Sequence, residues 1–333
     1  MKISHPFTLF TRCCTLALVA GACGLAPSNL RAQSPKQSNP QPIITEQMFD
    51  SPGEAINAMR SAVEAKDKSA LRKIFGSEFD SMLTGDTVQD SNNADRLAAA
   101  MAKGCNQAWE GTNTIYVEIG TNNWPLPIPL VKADDNKWHF DTAAGKEEII
   151  NRHVGKDELH AIGVCAAYVA AQKQYMTDNI GGLKNYAEKF KSSHGKKDGL
   201  YWKTADGETA SPFGPLVAEA HAEGYHPVKG KKLQPFHGYY FRILTAQGKD
   251  APGGKMDYLL DGKLTAGFAL VAWPEHWDQS GIMTFIVNQD GKVYQRNLGE
   301  DTSRMVGGIK EYNPDSEWTL VKDTGVTSIV WEK

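Results

Sequence analysis

The sequence predicts an α+β fold in which helices and antiparallel strands are segregated along the chain. Apolar residues recur at helical spacing in "SPGEAINAMRSAVE", and they alternate with polar residues in "TIYVEI". A helical segment of about twenty residues, "KDELHAIGVCAAYVAAQKQYM", then precedes a run of short strands. We therefore expect N-terminal helices on a curved antiparallel sheet, followed by a long helix packed on an antiparallel β-meander.

The N-terminal α+β domain, residues 45–150, begins with three predicted helices. Ser51 is an N-cap residue, with Pro52 in the first turn and Glu54 completing a capping box. A second helix follows Asp67, and a third covers about residues 94–103 and stops at Gly104. Helical spacing predicts the buried faces of the first two helices: Ala55, Ile56, Met59, Ala62 and Val63, then Leu71, Ile74 and Phe75.

Strands and a tight connection complete this domain. "TIYVEIG" is a strand, and "WPLPIPLVK" and "KWHFD" form a hairpin whose three prolines confine the first arm to a sheet edge. In the next segment, "TAAGK", Gly145 is expected to cap a helix whose first turn holds Glu147 and Glu148. These carboxylates disfavour a phosphate site, and the phosphate-loop pattern is absent.

The C-terminal α+β domain, residues 155–320, is predicted to pack its long helix on the meander. The strands are "HGYYFRIL", "GFALVAW" and a hairpin that turns at Asp290 and Gly291, and a short helix near "PLVAEAHAEG" precedes them. The expected inner stripe of the long helix consists of Leu159, Ile162, Ala166, Val169 and Lys173, widened by Cys165, Gln172 and Met176.

The N-terminus has the features of a secretory signal peptide. Lys2 and Arg12 precede an apolar run that is too short to span a bilayer. Cleavage after Ala32 would leave a flexible linker at 33–43, while lipoprotein-type anchoring at Cys23 is an alternative. We expect an exported protein, periplasmic or extracellular, without a further transmembrane segment and with a tail at 321–333.

Charge and cysteine content narrow the range of functions. The formal net charge is −3, and removal of residues 1–32, which contain three cations and no acid, would make it −6. An acidic chain argues against nucleic acid as a partner. Outside the signal peptide only Cys105 and Cys165 remain, and they could form a disulfide or stay as buried thiols. No CxxC spacing exists, which disfavours thiol redox catalysis and a structural zinc site.

Catalytic and metal-binding residue types do not form a recognisable motif. His153, Asp157 and His160 have spacings that would place them on one side of a continuous helix, where a transition metal could bind. Gly155 is expected to interrupt that helix, with Asp157 in the first turn of the next one. There is no nucleophile elbow and no HExxH sequence. We therefore predict no catalytic residue, no metal and no cofactor.

Aromatic residues and histidines are dense around three loops, in "GLYW", "FHGYY" and "WPEHW". An exposed indole or phenol could stack on a glycan, a peptide or another protein. Most such rings serve core packing, but some could form a contact surface. The candidate binding residues are Tyr201, Trp202, His237, Tyr239, Trp273, His276 and Trp277.

Long segments carry a resemblance to a known family. "FDSPGEAINAM", "WHFDTAAGKEEIINRHVGKDEL", "HGYYFRILTAQG" and "SGIMTFIVNQDGKVYQ" resemble the bacterial exported proteins of domain-of-unknown-function family 2950 (DUF2950), over about residues 48–320. The resemblance implies export and no assigned activity. "TDNIGGLKNYAEKF" departs from the more acidic, Gly-rich loop that we expect of the family, so the resemblance implies no ion site there.

The C-terminal half, with "AAYVAAQKQY" before "GYYFRIL", "ALVAWP" and "FIVNQDGKVY", is also similar to the globular heads of type IV pilin-like and pseudopilin proteins. Those proteins need an apolar N-terminal half-helix that this chain lacks before the corresponding helix. We predict a non-enzymatic binding or assembly module of the cell envelope, with an envelope protein or glycan as partner. The alternative is an envelope hydrolase with an unrecognised site.

Overall fold

The computed structural model describes residues 45–180, 182, 184–205, 207–208, 210–227 and 234–322. The predicted signal peptide and linker lie outside this part of the chain, as does the tail beyond residue 322. All described residues belong to one compact unit, Ile43–Lys333. None of the described helices is long and apolar enough to cross a membrane.

Helices dominate the first half of the described chain. A 3-10 helix, Gly76–Met82, lies between the second and third α-helices. The α-helices are α1 (Pro52–Glu64), α2 (Lys68–Phe75), α3 (Thr87–Lys103), α4 (Thr142–Thr177), α5 (Gly214–Ala222) and α6 (Thr302–Val306).

The strands form two larger sheets and two small ribbons, and all of their pairings are antiparallel. The first sheet contains β1 (Cys105–Glu110), β2 (Thr114–Ile119), β3 (Trp124–Pro125), β4 (Leu130–Lys132) and β5 (Trp138–Phe140). The ribbons and the second sheet contain β6 (Tyr239–Leu244), β7 (Ala246–Gln247), β8 (Met256–Asp257), β9 (Leu259–Leu260), β10 (Lys263–Leu264), β11 (Ala269–Pro274), β12 (Met283–Asn288), β13 (Tyr294–Asn297) and β14 (Thr319–Leu320). Helices with antiparallel sheets confirm the α+β class.

The N-terminal helices follow the sequence pattern closely. The Ser51 hydroxyl accepts a hydrogen bond from the Glu54 backbone N–H, and all of the predicted inner residues of α1 and α2 are buried. The third helix was predicted too short: α3 starts at Thr87, where the Asp86 carboxylate caps it. Its first turns are polar and bury only Gln89, so they carry no apolar periodicity.

The first sheet has the order β1-β2-β4-β5, with β3 also paired to β2. The hairpin of β4 and β5 is confirmed, but its first arm is not at a sheet edge, because β4 lies between β2 and β5. The prolines at 125, 127 and 129 precede Leu130 and therefore leave the backbone N–H groups of this short strand intact.

Helix α4 is a single 36-residue helix, and it differs from the prediction in three respects. Asp141 caps it, and Gly145 lies inside its first turns rather than at a cap. Gly155 does not interrupt it. The predicted inner stripe is also rotated, because Leu159 is 46% exposed whereas Tyr168 is fully buried. The buried tyrosines at 168 and 175 were not counted as inner positions, although Cys165, Val169 and Gln172 are buried as predicted.

The second sheet has the order β14-β13-β12-β11-β6, and α4 packs on β11 and β12. Along β11, Leu270 and Ala272 face the core that contains Tyr168, whereas Ala269 and Val271 face a second core. The sheet is therefore buried on both faces at its centre. The division into domains 45–150 and 155–320 stays a prediction, with α4 running through the proposed boundary.

Candidate functional site

A group of polar side chains lies where α3, α4 and the turn before β6 meet; Gln89, Asp157 and His237 are buried, and His160 and Glu223 are half-buried. Asp157 and His160 lie one turn apart on α4, Gln89 comes from α3, His237 lies in the turn, and Glu223 follows α5. These five residues are called the buried polar cluster. Its members come from both halves of the chain, so the cluster exists only because the halves pack against each other.

Asp157 is the most enclosed member of the buried polar cluster, with no exposed surface. Gln89 Nε2 donates a hydrogen bond of 2.5 Å to its Oδ1, while Oδ2 is buried and has no hydrogen-bond partner among the described residues. Burial raises the pKa of Asp157 to about 8, although the Gln89 hydrogen bond opposes the shift. The carboxyl group therefore keeps its proton at neutral pH when nothing positive is bound beside it.

The two histidines of the buried polar cluster pack against each other. The ring centroids of His160 and His237 are 4.1 Å apart. Burial, with smaller contributions from His237 and Lys156, lowers the pKa of His160 to about 3, so this imidazole is neutral. On the other side, His237 Nε2 lies 2.8 Å from Glu223 Oε2. Burial raises the pKa of Glu223, but His237 and nearby cations outweigh burial and the net shift is downward.

Backbone conformation fixes His237 in place. Its φ is +46°, in the left-handed region that only a few per cent of residues other than glycine adopt. Gly238 follows with φ +68°, and a Cβ there would lie 2.6 Å from Ser280 Cβ and 3.2 Å from Asp157 Oδ2. Only glycine fits this close approach. The strained pair directs the imidazole towards α4, and strain of this kind is common at functional sites.

The geometry allows metal coordination. One candidate ligand atom from each of Asp157, His160 and His237 lies within 4.8 Å of the other two. A carboxylate and two imidazoles are ligand types that zinc and other divalent transition metals accept. The remaining two members, Gln89 and Glu223, contact Asp157 and His237 respectively. The buried polar cluster therefore contains three candidate metal ligands and two further residues that contact those ligands.

A cleft of about 370 Å³ lies near Lys189 and Asp198, but a larger one of about 730 Å³ lies beside the buried polar cluster. Tyr225 and Phe236 line the larger cleft, and their rings lie 5.3 and 4.4 Å from the His237 ring. We call it the α5 cleft. Most of its wall is apolar or aromatic, including Val164, Phe190, Phe213, Leu216, Val217 and Phe241.

Two features make the α5 cleft suitable for a ligand. Helix α5 buries none of its residues, so Leu216 and Val217 present partly exposed apolar surface to the cleft. The polar part of the wall includes two carboxylates beside His221 and His226: Asp86 accepts a hydrogen bond from the Tyr225 hydroxyl at 2.7 Å, and Glu275 accepts one from Tyr240 at 2.7 Å. Burial and the Asp86 carboxylate raise the pKa of Tyr225, which therefore stays a hydrogen-bond donor.

Comparison with known proteins identifies the family. The family model described as "Protein of unknown function (DUF2950)" matches residues 46–321. The chain belongs to the DUF2950 family. No curated protein and no solved structure matches it. The matched range of this DUF2950 chain includes the buried polar cluster and the α5 cleft, and the pilin-like resemblance of its C-terminal half stays a prediction.

The candidate aromatic surface does not come together as one exposed face. Of the seven residues, His237 alone belongs to the buried polar cluster. Tyr239 and Trp273 are buried, while His276 is exposed, and the other three are half-buried: Tyr201, Trp202 and Trp277. Trp277 also donates from its indole nitrogen to Asn297. Binding by the accessible members stays a prediction.

The histidine spacing on α4 pointed to part of the site. Because the helix continues through Gly155, Asp157 and His160 share a face, but His153 does not join them and its Nε2 lies 2.6 Å from the Gln279 carbonyl oxygen. His237 replaces it as the third group. The sequence signal that was missed is the His-Gly pair before a strand, where left-handed backbone can turn a side chain towards a packed helix.

The two remaining cysteines are free thiols. Cys165 is fully buried in the core beneath the second sheet, whereas Cys105 is half-buried against the core of the first sheet. Burial raises the pKa of Cys165 to about 12. This thiol is therefore a packing group, and the structure has no disulfide between the two positions.

Proposed function

We propose that this DUF2950 protein is an exported, non-enzymatic binding module of the cell envelope, and that the α5 cleft is its binding site. The cationic start and short apolar run of the N-terminus support export to the periplasm or outside the cell. The observation that carries the binding role is the size and lining of the α5 cleft. Its volume of about 730 Å³ falls within the range of ligand sites, and its wall is mainly apolar with few polar groups.

The lining favours an apolar peptide with a positive charge as the ligand. Among the described residues that line the α5 cleft, Asp86 and Glu275 are acidic and none is Lys or Arg. A glycan would need many hydrogen-bonding groups, whereas Phe213, Leu216 and Phe236 offer apolar contact. A segment of an envelope protein with apolar side chains and one basic residue fits both the surface and the charge.

A matched pair of substitutions on α5 tests this binding site. Ala220 lines the α5 cleft, while Ala218 on the same helix is exposed and does not line it. The probe is a labelled peptide rich in Leu and Phe with one central Lys, compared with the same peptide carrying Glu instead. We expect Ala220→Trp to weaken binding of the Lys peptide at least about tenfold, because the indole fills the cleft.

Fluorescence anisotropy is the measurement, and Ala218→Trp should bind like the wild type. The Glu peptide should bind more weakly than the Lys peptide to the wild type. Equal affinity of both Trp variants for the Lys peptide would show that the peptide binds outside the α5 cleft. Equal affinity of the wild type for the Lys and Glu peptides would show that the ligand does not need a positive charge.

An envelope hydrolase is the second candidate, because a carboxyl group and two imidazoles lie close to the α5 cleft. Asp157 and His237 are buried, which keeps a polymer substrate from touching them. We therefore expect no product when the purified protein is incubated with envelope polymers. Product formation that His160→Gln abolished, with folding intact by circular dichroism, would favour the hydrolase.

Mass measurement of the mature N-terminus tests export. Cleavage after Ala32 is the expected result, and a lipid-modified Cys23 would indicate anchoring instead. An uncleaved chain recovered from the cytoplasm of the native organism would contradict the proposal.

A further inference from the structure

We propose that Asp157, His160 and His237 bind a divalent transition-metal ion, which ties α4 to the turn before β6. This inference goes beyond the binding role of the α5 cleft and replaces the sequence-based expectation that the chain holds no metal. It is carried by the close approach of three ligand-type side chains from two separate elements.

The three candidate ligand atoms need to move only slightly closer together to bind one ion. Ligand atoms about 2.1 Å from a tetrahedral ion are about 3.4 Å from one another. The three candidate atoms lie within 4.8 Å of one another. Side-chain rotations that shorten the longest separation by about 1.4 Å would complete the site. Two of the ligands share one face of α4 at i and i+3, so the helix already fixes their relative position.

Gln89 and Glu223 contact two of the proposed ligands, as the residues that orient the ligands of a metal site do. Metal-bound imidazoles and carboxylates are usually held by a second hydrogen-bonding group that sets their orientation. Gln89 donates to Asp157 Oδ1, which leaves Oδ2 as the ligand atom, a buried oxygen that has no hydrogen-bond partner in the described part of the chain. Glu223 Oε2 lies 2.8 Å from His237 Nε2, so Nδ1 is the ring nitrogen of His237 that we assign to the metal.

Burial argues for a bound cation and against an accidental grouping. Asp157 has no exposed surface, and His237 is 6% exposed. A bound cation would give the buried Asp157 carboxyl group a positive partner, which it lacks among the described salt bridges. The left-handed backbone at His237 also costs free energy that a metal bond would offset.

The ligand set selects the class of ion. Two imidazoles and one carboxylate suit Zn²⁺, Co²⁺, Ni²⁺ or Fe²⁺, whereas Mg²⁺ and Ca²⁺ require mainly oxygen ligands. Zn²⁺ is therefore the probe, and Co²⁺ is the spectroscopic substitute. Since three protein ligands leave at least one position for water, the ion could also be exchangeable.

The test uses the full mature chain without a histidine tag, stripped of metal with a chelator. Equilibrium dialysis should give one Zn²⁺ per chain, and Mg²⁺ and Ca²⁺ should not compete. Zn²⁺ should raise the Tm. Co²⁺ should produce visible absorption bands that Zn²⁺ removes.

Three substitutions make the assignment specific. Asp157→Asn keeps an acceptor for Gln89 but loses the anionic ligand, and His160→Gln removes one imidazole. Each should weaken Zn²⁺ binding by about 100-fold or more. His153→Gln is the matched control, because it lies one turn earlier on the same helix and outside the ligand set. It should bind one Zn²⁺ with wild-type affinity.

The proposal is overturned if the wild-type chain binds no Zn²⁺, or if Asp157→Asn and His160→Gln both bind it as the wild type does. Should Asp157→Asn fail to fold by circular dichroism, the wild-type stoichiometry and His160→Gln still decide. Peptide binding in the α5 cleft is measured separately on the metal-stripped chain, so failure of one proposal does not imply failure of the other.

Discussion

At the scale of single residues, the candidate site depends on a backbone feature that composition does not reveal. The spacing of Asp157 and His160 in the sequence indicates a shared helix face, and the structure places both in the buried polar cluster. The third group could not be predicted, because His237 reaches α4 through a left-handed turn and through the packing of residues far apart in the chain. Local patterns carry no information about such contacts.

Gly238→Ala tests how closely this turn is packed. Its Cβ would lie 2.6 Å from Ser280 Cβ at a φ of +68°, so strain and overpacking should together lower the free energy of unfolding by about 3 kcal/mol. Gly254→Ala is the control, because its φ is also positive, at +76°, but nothing lies within 4 Å of the added Cβ. It should cost about 1 kcal/mol. Urea unfolding followed by circular dichroism measures both, and equal losses would contradict the close packing.

At the scale of secondary-structure elements, the sequence predicted most helices and strands but not the extent of α4. Capping residues and helical spacing predicted α1 and α2, and the alternation of apolar and polar residues predicted β2. The predicted break at Gly155 was wrong because one glycine costs a helix only about 1 kcal/mol. The packing of α4 against the 3-10 helix and against β11 and β12 outweighs this cost.

Two of the three glycines of α4, Gly145 and Gly155, should respond oppositely to the same substitution. A Cβ at Gly145 would lie 2.5 Å from the Pro127 carbonyl oxygen, so Gly145→Ala should lower the free energy of unfolding by about 2 kcal/mol despite better helix propensity. Nothing lies within 4 Å of a Cβ at Gly155, so Gly155→Ala should raise it by about 0.5–1 kcal/mol. Denaturant titration gives both values. A stabilising Gly145→Ala would show that α4 does not approach residues 127–128 this closely.

At the scale of the whole molecule, the two predicted domains share α4 and a polar interface. Besides the Gln89 to Asp157 hydrogen bond, the Tyr225 hydroxyl donates to Asp86, and Asn92 Nδ2 donates to the Glu223 carbonyl oxygen at 2.9 Å. The fold class was predictable because it follows from local periodicity. The interface was not, since its side chains are polar and appear in the sequence as ordinary surface residues.

We expect the chain to unfold in one cooperative transition. Because α4 contributes to both halves, loss of one half removes packing from the other. Differential scanning calorimetry should give equal calorimetric and van't Hoff enthalpies. Two separated transitions would instead support two independent domains that meet only at residues 150–155.

The buried polar cluster depends on one strained turn, on one long helix and on the contact between the two halves of the chain. Anomalous scattering from crystals of the Zn²⁺-loaded chain, measured on both sides of the zinc edge, tests it most directly. We expect an anomalous peak between Asp157, His160 and His237 that is absent in Asp157→Asn crystals. Zinc found only at exposed histidines, with no peak between these three side chains, would contradict it.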